Sequence, residues 1–214
     1  MTTAIKFCGI TRREDVDLAA ELGAAYAGSI FAPSPRRVSA DQAAEIWGGS
    51  AAIRKVGVFG DAPVEEILQT ADVSGLDVIQ LHAGPGDGTV ERLRASFPGE
   101  IWAVVRVGEA GVRAVAGESS GADAILVDSY SESGLGGTGR AFDWEREAET
   151  IRRLVGGKPL IVAGGLDPDN VANAIAALAP EVVDVSSGVE SSPGVKDHAR
   201  MRAFASAVAR ANEE

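Results

Sequence analysis

Two glycine-bearing stretches decide the fold: Leu160-Ile-Val-Ala-Gly-Gly165 and Val182-Val-Asp-Val-Ser-Ser-Gly-Val-Glu190. Each is a short apolar run, of the kind that forms a buried parallel strand, ending in a loop that contains glycine. They lie one strand-helix unit apart near the C-terminus. That is where a barrel of eight such units binds phosphate, because glycine admits an anion close to the backbone and nearby N–H groups supply the donors. The expectation is an enzyme that holds a phosphorylated small molecule.

Working outward, Val/Ile-rich runs alternate with longer amphipathic stretches along the whole chain, as parallel strands alternate with crossover helices. Eight pairs are counted. The strands are expected at Ala4–Cys8, Ala25–Ala32, Ile53–Phe59, Asp77–His82, Ile101–Val107, Ala124–Asp128, Leu160–Ala163 and Val182–Val185. Thr11 to Glu14 and Ser39 to Gln42 fit capping boxes, and Asp61 and Asp167 are candidate N-caps. Core-facing stripes appear at Val64, Ile67, Leu68 and Ala71, at Val171, Ala174, Ile175 and Leu178, and at Met201, Phe204, Ala205 and Val208. Further helices are expected after Gly86, after Gly108 and from Asp143. The fold class is therefore α/β, a single (β/α)8 TIM barrel forming one catalytic domain over residues 1–214, with a doubly wound open sheet as the alternative.

Composition narrows the function. A formal charge of -11 disfavours nucleic acid and anionic membranes, which need a basic surface, while leaving an anionic small molecule open if positive potential is local. One cysteine makes no intrachain disulfide, and no apolar run reaches the ~18 residues of a membrane span. A cytoplasmic setting is expected, with the chain a monomer or homodimer.

In such a barrel the chemistry sits at the C-terminal strand ends. Cys8 ends the first strand just before an expected helix start, where a thiol has its pKa lowered and serves as base or nucleophile; the competing reading is an inert core cysteine. Asp128 closes the sixth, and a carboxylate there is costly unless paired or used; desolvation would suit it as a general acid. Arg36, in the loop after the second strand, has the fork that grips a carboxylate. His82, Arg106 and Asp184 complete the polar positions. With two histidines and no ligand-spaced cluster, no metal is expected. The segment from Ser129 to Arg140 could close over the site; its Gly134-Leu-Gly-Gly-Thr-Gly139 match to a dinucleotide fingerprint lacks the strand, helix and acidic residue that would support it.

Lys6-Phe-Cys-Gly-Ile-Thr11, Ser34-Pro-Arg36, Val56-Gly-Val-Phe59, Gln80-Leu-His82, Gly136-Gly-Thr-Gly139 with Phe142-Asp-Trp144, Ala163-Gly-Gly-Leu166 with Asn170-Val171, and Asp184 to Glu190 with Pro193-Gly194 and Lys196-Asp197 run in order from end to end. This set resembles the phosphoribosylanthranilate isomerase family. The resemblance implies an Amadori rearrangement of N-(5-phosphoribosyl)anthranilate in tryptophan biosynthesis, without a cofactor. It implies Asp128 as general acid, Cys8 as general base and Arg36 as the carboxylate anchor. Gly164, Gly165, Ser187 and Gly188 would be phosphate donors, with His82 and Asp184 as further substrate contacts. Arg37, Asp61 and Ala83 depart from the expected pattern without touching a proposed catalytic group. Another sugar-phosphate isomerase, epimerase or lyase barrel, or a non-catalytic barrel that binds a phosphorylated ligand, are the competing readings.

Overall fold

The computed structural model describes residues 2–48, 52–82, 88–108, 111–113, 121–129 and 144–213. Eight parallel strands form a closed ring: β1 (Ala4–Cys8), β2 (Tyr26–Ile30), β3 (Arg54–Phe59), β4 (Val78–Leu81), β5 (Glu100–Gly108), β7 (Ala124–Ser129), β8 (Leu160–Val162) and β9 (Val182–Val185). The pairing of β4 with β5 and of β9 with β1 closes it, so the open-sheet alternative is excluded. The expected strand positions all hold, with ends moved by up to two residues.

Helices α1 (Arg13–Glu21), α2 (Ala40–Trp47), α3 (Val64–Ser74), α4 (Thr89–Arg94), α5 (Trp144–Val155), α6 (Val171–Leu178) and α7 (His198–Ala211) pack outside the ring. Their apolar stripes meet the outward faces of the strands in two clusters, one around Phe7, Val127, Val183 and Phe204, the other around Phe59, Ile67, Ile79 and Leu93. The inward faces make a third, with Val56, Val78, Trp102, Val104, Leu126, Ile161 and Val182 filling the barrel floor. Side chains alternate along a strand, so each inward residue of the floor has an inward successor two positions on, nearer the mouth. By that rule Ala4, Ala124 and Val182 on the floor put Lys6 and Cys8, Asp128, and Asp184 on the inner wall.

Three expectations change. After Gly108, the described residues 111–113 form a short strand, β6 (Gly111–Arg113), antiparallel to the end of β5, instead of a helix; residues 114–120 lie outside the described chain. Thr11 does not cap α1: its hydroxyl donates to the Gly194 carbonyl, and Arg12 is the cap residue, with no side-chain cap bond. Neither Asp61 nor Asp167 is an N-cap. Pro63 precedes α3, and Asp167 instead accepts from the backbone N–H groups of Asp169 and Asn170 in the turn that leads to α6. The Ser39 box is present in both halves. Beyond β9, one turn of 3-10 helix (Ser187–Val189) leads into a hairpin, β10 (Glu190–Ser192) and β11 (Val195–Lys196), around Pro193-Gly194.

Candidate active site

The C-terminal mouth collects buried charge from Lys6, Asp184 and Lys196. Lys6 is fully buried, and its Nζ donates to Asp184 Oδ2 at 2.8 Å, across the register that pairs these two residues on β1 and β9. Burial alone would strip the ammonium of its proton; the Asp184 carboxylate, and after it Cys8, outweigh that and hold Lys6 above the ordinary lysine range.

Cys8 lies one inward step above Lys6. Its thiol is not lowered by a helix N-terminus as expected, because α1 begins only at Arg13. Burial pushes it above the ordinary thiol value, with Asp184 adding to the rise and Lys6 and Lys196 opposing it. The groups that favour the thiolate are therefore two buried lysines.

Lys196, on β11, is the second. Its Nζ donates to the carbonyls of Cys8 and Ser186 and to Glu190 Oε1, at 2.5, 3.1 and 2.9 Å. Glu190 also receives Arg36 in a two-pronged pair, Nε to Oε1 at 2.8 Å and Nη2 to Oε2 at 2.7 Å. Arg36 lies across Gly9, where a Cβ would stand only 2.7 Å from its Cδ, and its backbone N–H donates to Ser34 Oγ. Arg36 is thus held in place by Glu190 while the Nη1 edge of its fork is left to other partners. Neither Glu190 nor Lys196 was recognised as a site residue from sequence, since hairpin formation at Pro193-Gly194 is what brings them together.

Asp128 is the penultimate residue of β7, three strands round the ring from β1. His82 Nε2 is 3.6 Å from Asp128 Oδ2, too far for a hydrogen bond. Burial pulls the His82 imidazole down to about 4, with Arg106 and Lys6 adding repulsion, so it is neutral at pH 7. Arg106 pairs in register with Asp128 on the next strand, and its Nη2 reaches toward the His82 carbonyl at 3.5 Å.

The two glycine loops meet on the other side. Gly164 and Gly165 have φ of 87° and 66°, which other residues rarely adopt. Asn170 locks their loop by donating from Nδ2 to the Gly165 carbonyl while its Oδ1 accepts from Asp167 N–H. Gly188, in the 3-10 turn, touches this loop so closely that a Cβ would stand 1.9 Å from the Leu166 carbonyl oxygen. Ser187 beside it is exposed. Gly164, Gly165, Ser187 and Gly188 accordingly share one rim of the mouth. The segment expected to close over the site lies, apart from Ser129, outside the described residues.

Gln80 Oε1, His82 Nδ1, Asp184 Oδ1 and Ser186 Oγ are buried without a hydrogen-bond partner among the described residues. Unsatisfied polar atoms are costly, and these four lie on β4 and β9 or on the residue after each strand, while Trp47 Nε1, on α2 outside the ring, is a further one.

Comparison with known proteins agrees with the barrel fold. Residues 5–207 match the N-(5'phosphoribosyl)anthranilate (PRA) isomerase family. The chain belongs to that family. It is an isomerase. A relative from Rubrobacter xylanophilus, named N-(5'-phosphoribosyl)anthranilate isomerase, is 42% identical over 205 residues, covering 95% of this chain and 97% of its own. The phosphoribosyl anthranilate isomerase of Thermus thermophilus superposes with a TM-score of 0.82 at 32% identity, covering 97% of this chain and 99% of that one. Another solved isomerase, in complex with reduced 1-(o-carboxyphenylamino)-1-deoxyribulose 5-phosphate, gives 0.79 at 30% identity, covering 98% and 100%.

Proposed function

We propose that the mouth of this barrel, within one catalytic domain spanning residues 1–214, rearranges N-(5-phosphoribosyl)anthranilate with Asp128 as general acid and Cys8 as general base. The product is 1-(2-carboxyphenylamino)-1-deoxyribulose 5-phosphate, a step of tryptophan biosynthesis. The observation that carries this reading is the placement of a thiol and a carboxyl on the inner wall at the ends of β1 and β7, between an anchored arginine and a glycine-lined rim.

Arg36 would take the anthranilate carboxylate on the edge of its fork that Glu190 does not use. Gly164, Gly165, Ser187 and Gly188 would take the phosphate, and the ribose would span the space between. Holding both ends of the substrate aligns its reacting carbons with the acid and base. Asp128 gives its proton to the ring oxygen as the C1–O bond opens, and the anthranilate nitrogen supplies the electron pair that forms the Schiff base. The Cys8 thiolate then removes the proton on C2; the C–H pair forms the C1–C2 double bond as the C=N pair returns to the nitrogen, giving the enolamine, which tautomerises to the ketone. Asp184 and neutral His82 are proposed as further contacts to the sugar, Asp184 through the oxygen that Lys6 leaves unpaired. The base is a free thiol, which suits a reducing compartment, and we extend the proposal to a cytoplasmic setting.

The test is a fluorescence assay with substrate generated in situ. Cys8→Ala and Asp128→Asn should each lose about 10²- to 10⁴-fold in kcat while still binding the reduced product analogue. Near-full turnover in either variant overturns the role given to that residue.

A further inference from the structure

Lys6 stands one inward step below Cys8 on the same strand, and no part of it reaches solvent. Both side chains approach the same point of the β2 backbone, where a glycine leaves space. A Cβ built on Gly28, the register partner of Cys8, would lie 3.3 Å from Cys8 Sγ and 3.3 Å from both Cε and Nζ of Lys6. An ammonium has three protons, and one of the Lys6 set goes to Asp184 Oδ2. Lys196 offers no such freedom, because the carbonyls of Cys8 and Ser186 together with Glu190 take its three protons.

We propose that Lys6, fixed by Asp184, is the positioning residue that favours the thiolate form of the Cys8 sulfur against burial, for proton abstraction. This deepens the reading of Cys8 as the base and rests on it. Lys6 touches no substrate; it acts through the sulfur. The charged groups facing Cys8 come from four elements: Lys6 on its own strand, Asp184 on β9, Lys196 with Glu190 in the hairpin, and Arg36 from the loop after β2. Among these, Lys6 opposes the effect of burial most strongly. Asp184 has two opposed effects: its charge disfavours the thiolate directly, yet it keeps Lys6 protonated in a site that would otherwise discharge it.

The chain has one cysteine, so a thiol titration reads Cys8 alone. We would titrate the thiolate ultraviolet absorbance of the full chain, using Cys8→Ser as the blank to subtract the two tyrosines, and follow iodoacetamide alkylation over the same pH range. In Lys6→Met the midpoint should rise by at least about one pH unit, which lowers the thiolate population at neutral pH about tenfold. Because Lys6→Met leaves Asp184 buried and unpaired, the neutral pair Lys6→Met with Asp184→Asn provides a second folded background; its midpoint should lie between that of the parent and that of Lys6→Met. A midpoint within about 0.3 unit of the parent in folded Lys6→Met, or in the double variant if the single fails to fold, overturns the proposal. The acidic limb of kcat/KM, measured on the same proteins, separates the two readings. If it moves with the thiol midpoint, both stand. If the thiol midpoint moves and the limb does not, Lys6 controls the thiolate but Cys8 is not the base.

Discussion

Replacing Gly188 by alanine tests whether the two glycine loops form one phosphate site. The φ of Gly188 is not in the left-handed region, so the substitution has no backbone strain to contend with; only contact matters. The new methyl carbon would stand 1.9 Å from the Leu166 carbonyl oxygen and 2.9 Å from the Leu166 carbonyl carbon. Both are backbone atoms and cannot turn aside as a side chain would. Real methyl carbons do not approach other atoms within about 3.0 Å, so the 3-10 turn and the Gly164-Gly165 loop must part by a little over 1 Å. A displacement of about 1 Å in a positioning element costs on the order of 10² in rate, so kcat/KM should fall about a hundredfold, or about 2.7 kcal/mol of transition-state stabilisation. Overpacking should also cost about 1–3 kcal/mol of stability, and for a chain of this length each kcal/mol lowers Tm by about 2–4 °C. The assay is steady-state turnover well below the melting point of either protein, with competition by inorganic phosphate measured in parallel. If folded Gly188→Ala keeps kcat/KM and its inhibition by phosphate within about threefold of the parent, the two loops do not cooperate in holding phosphate.

Two predictions concern titration. Arg36 and Lys196 outweigh burial and hold the Glu190 carboxyl below the ordinary carboxylate range, so its contribution to stability is present above the unfolded value of about 4.3 and is lost as pH falls through the lower folded value. Glu190→Gln should therefore be less stable at pH 7 by about 3 kcal/mol and should show a shallower loss of stability on acidification, as read from urea unfolding; equal slopes would contradict the pairing. His82 is depressed to about 4, so its contribution is present above the unfolded value of about 6.5 and is lost as pH falls toward the folded one. Proton NMR of the two histidines should find one that stays neutral down to about pH 5, and titration of both above about pH 6 would remove the basis for a neutral His82 at the site.

What could be read from the sequence was what is local or periodic. Eight apolar runs gave eight strands because parallel strands buried on both faces have little room for polar residues. The Ser39 box held because its partner is three residues away. Thr11 matches the same pattern and failed, since a carbonyl 183 residues further on takes its hydroxyl. The pattern after Gly108 reads as a helix, yet the described part of that segment pairs with the end of β5.

The site shows the same division. Cys8, Asp128, His82 and Asp184 stand out in the sequence because a polar residue at the end of an apolar run is conspicuous. The groups that set their charge were not, with one exception that parity could have supplied: Lys6 shares its strand face with Cys8, and a lysine facing the inside of a barrel must have an anion near it. Arg36 and Glu190 are 154 residues apart, and no spacing rule links them. Their pairing has a chemical consequence of its own. Glu190 binds both the arginine proposed to receive the substrate carboxylate and the lysine that grips the Cys8 carbonyl. A carboxylate arriving at Arg36 would add a second anion beside Glu190, draw the guanidinium toward the substrate, and leave Glu190 leaning more heavily on Lys196. With Arg36 in the proposed role, binding there and the electrostatic surroundings of Cys8 would be coupled through Glu190.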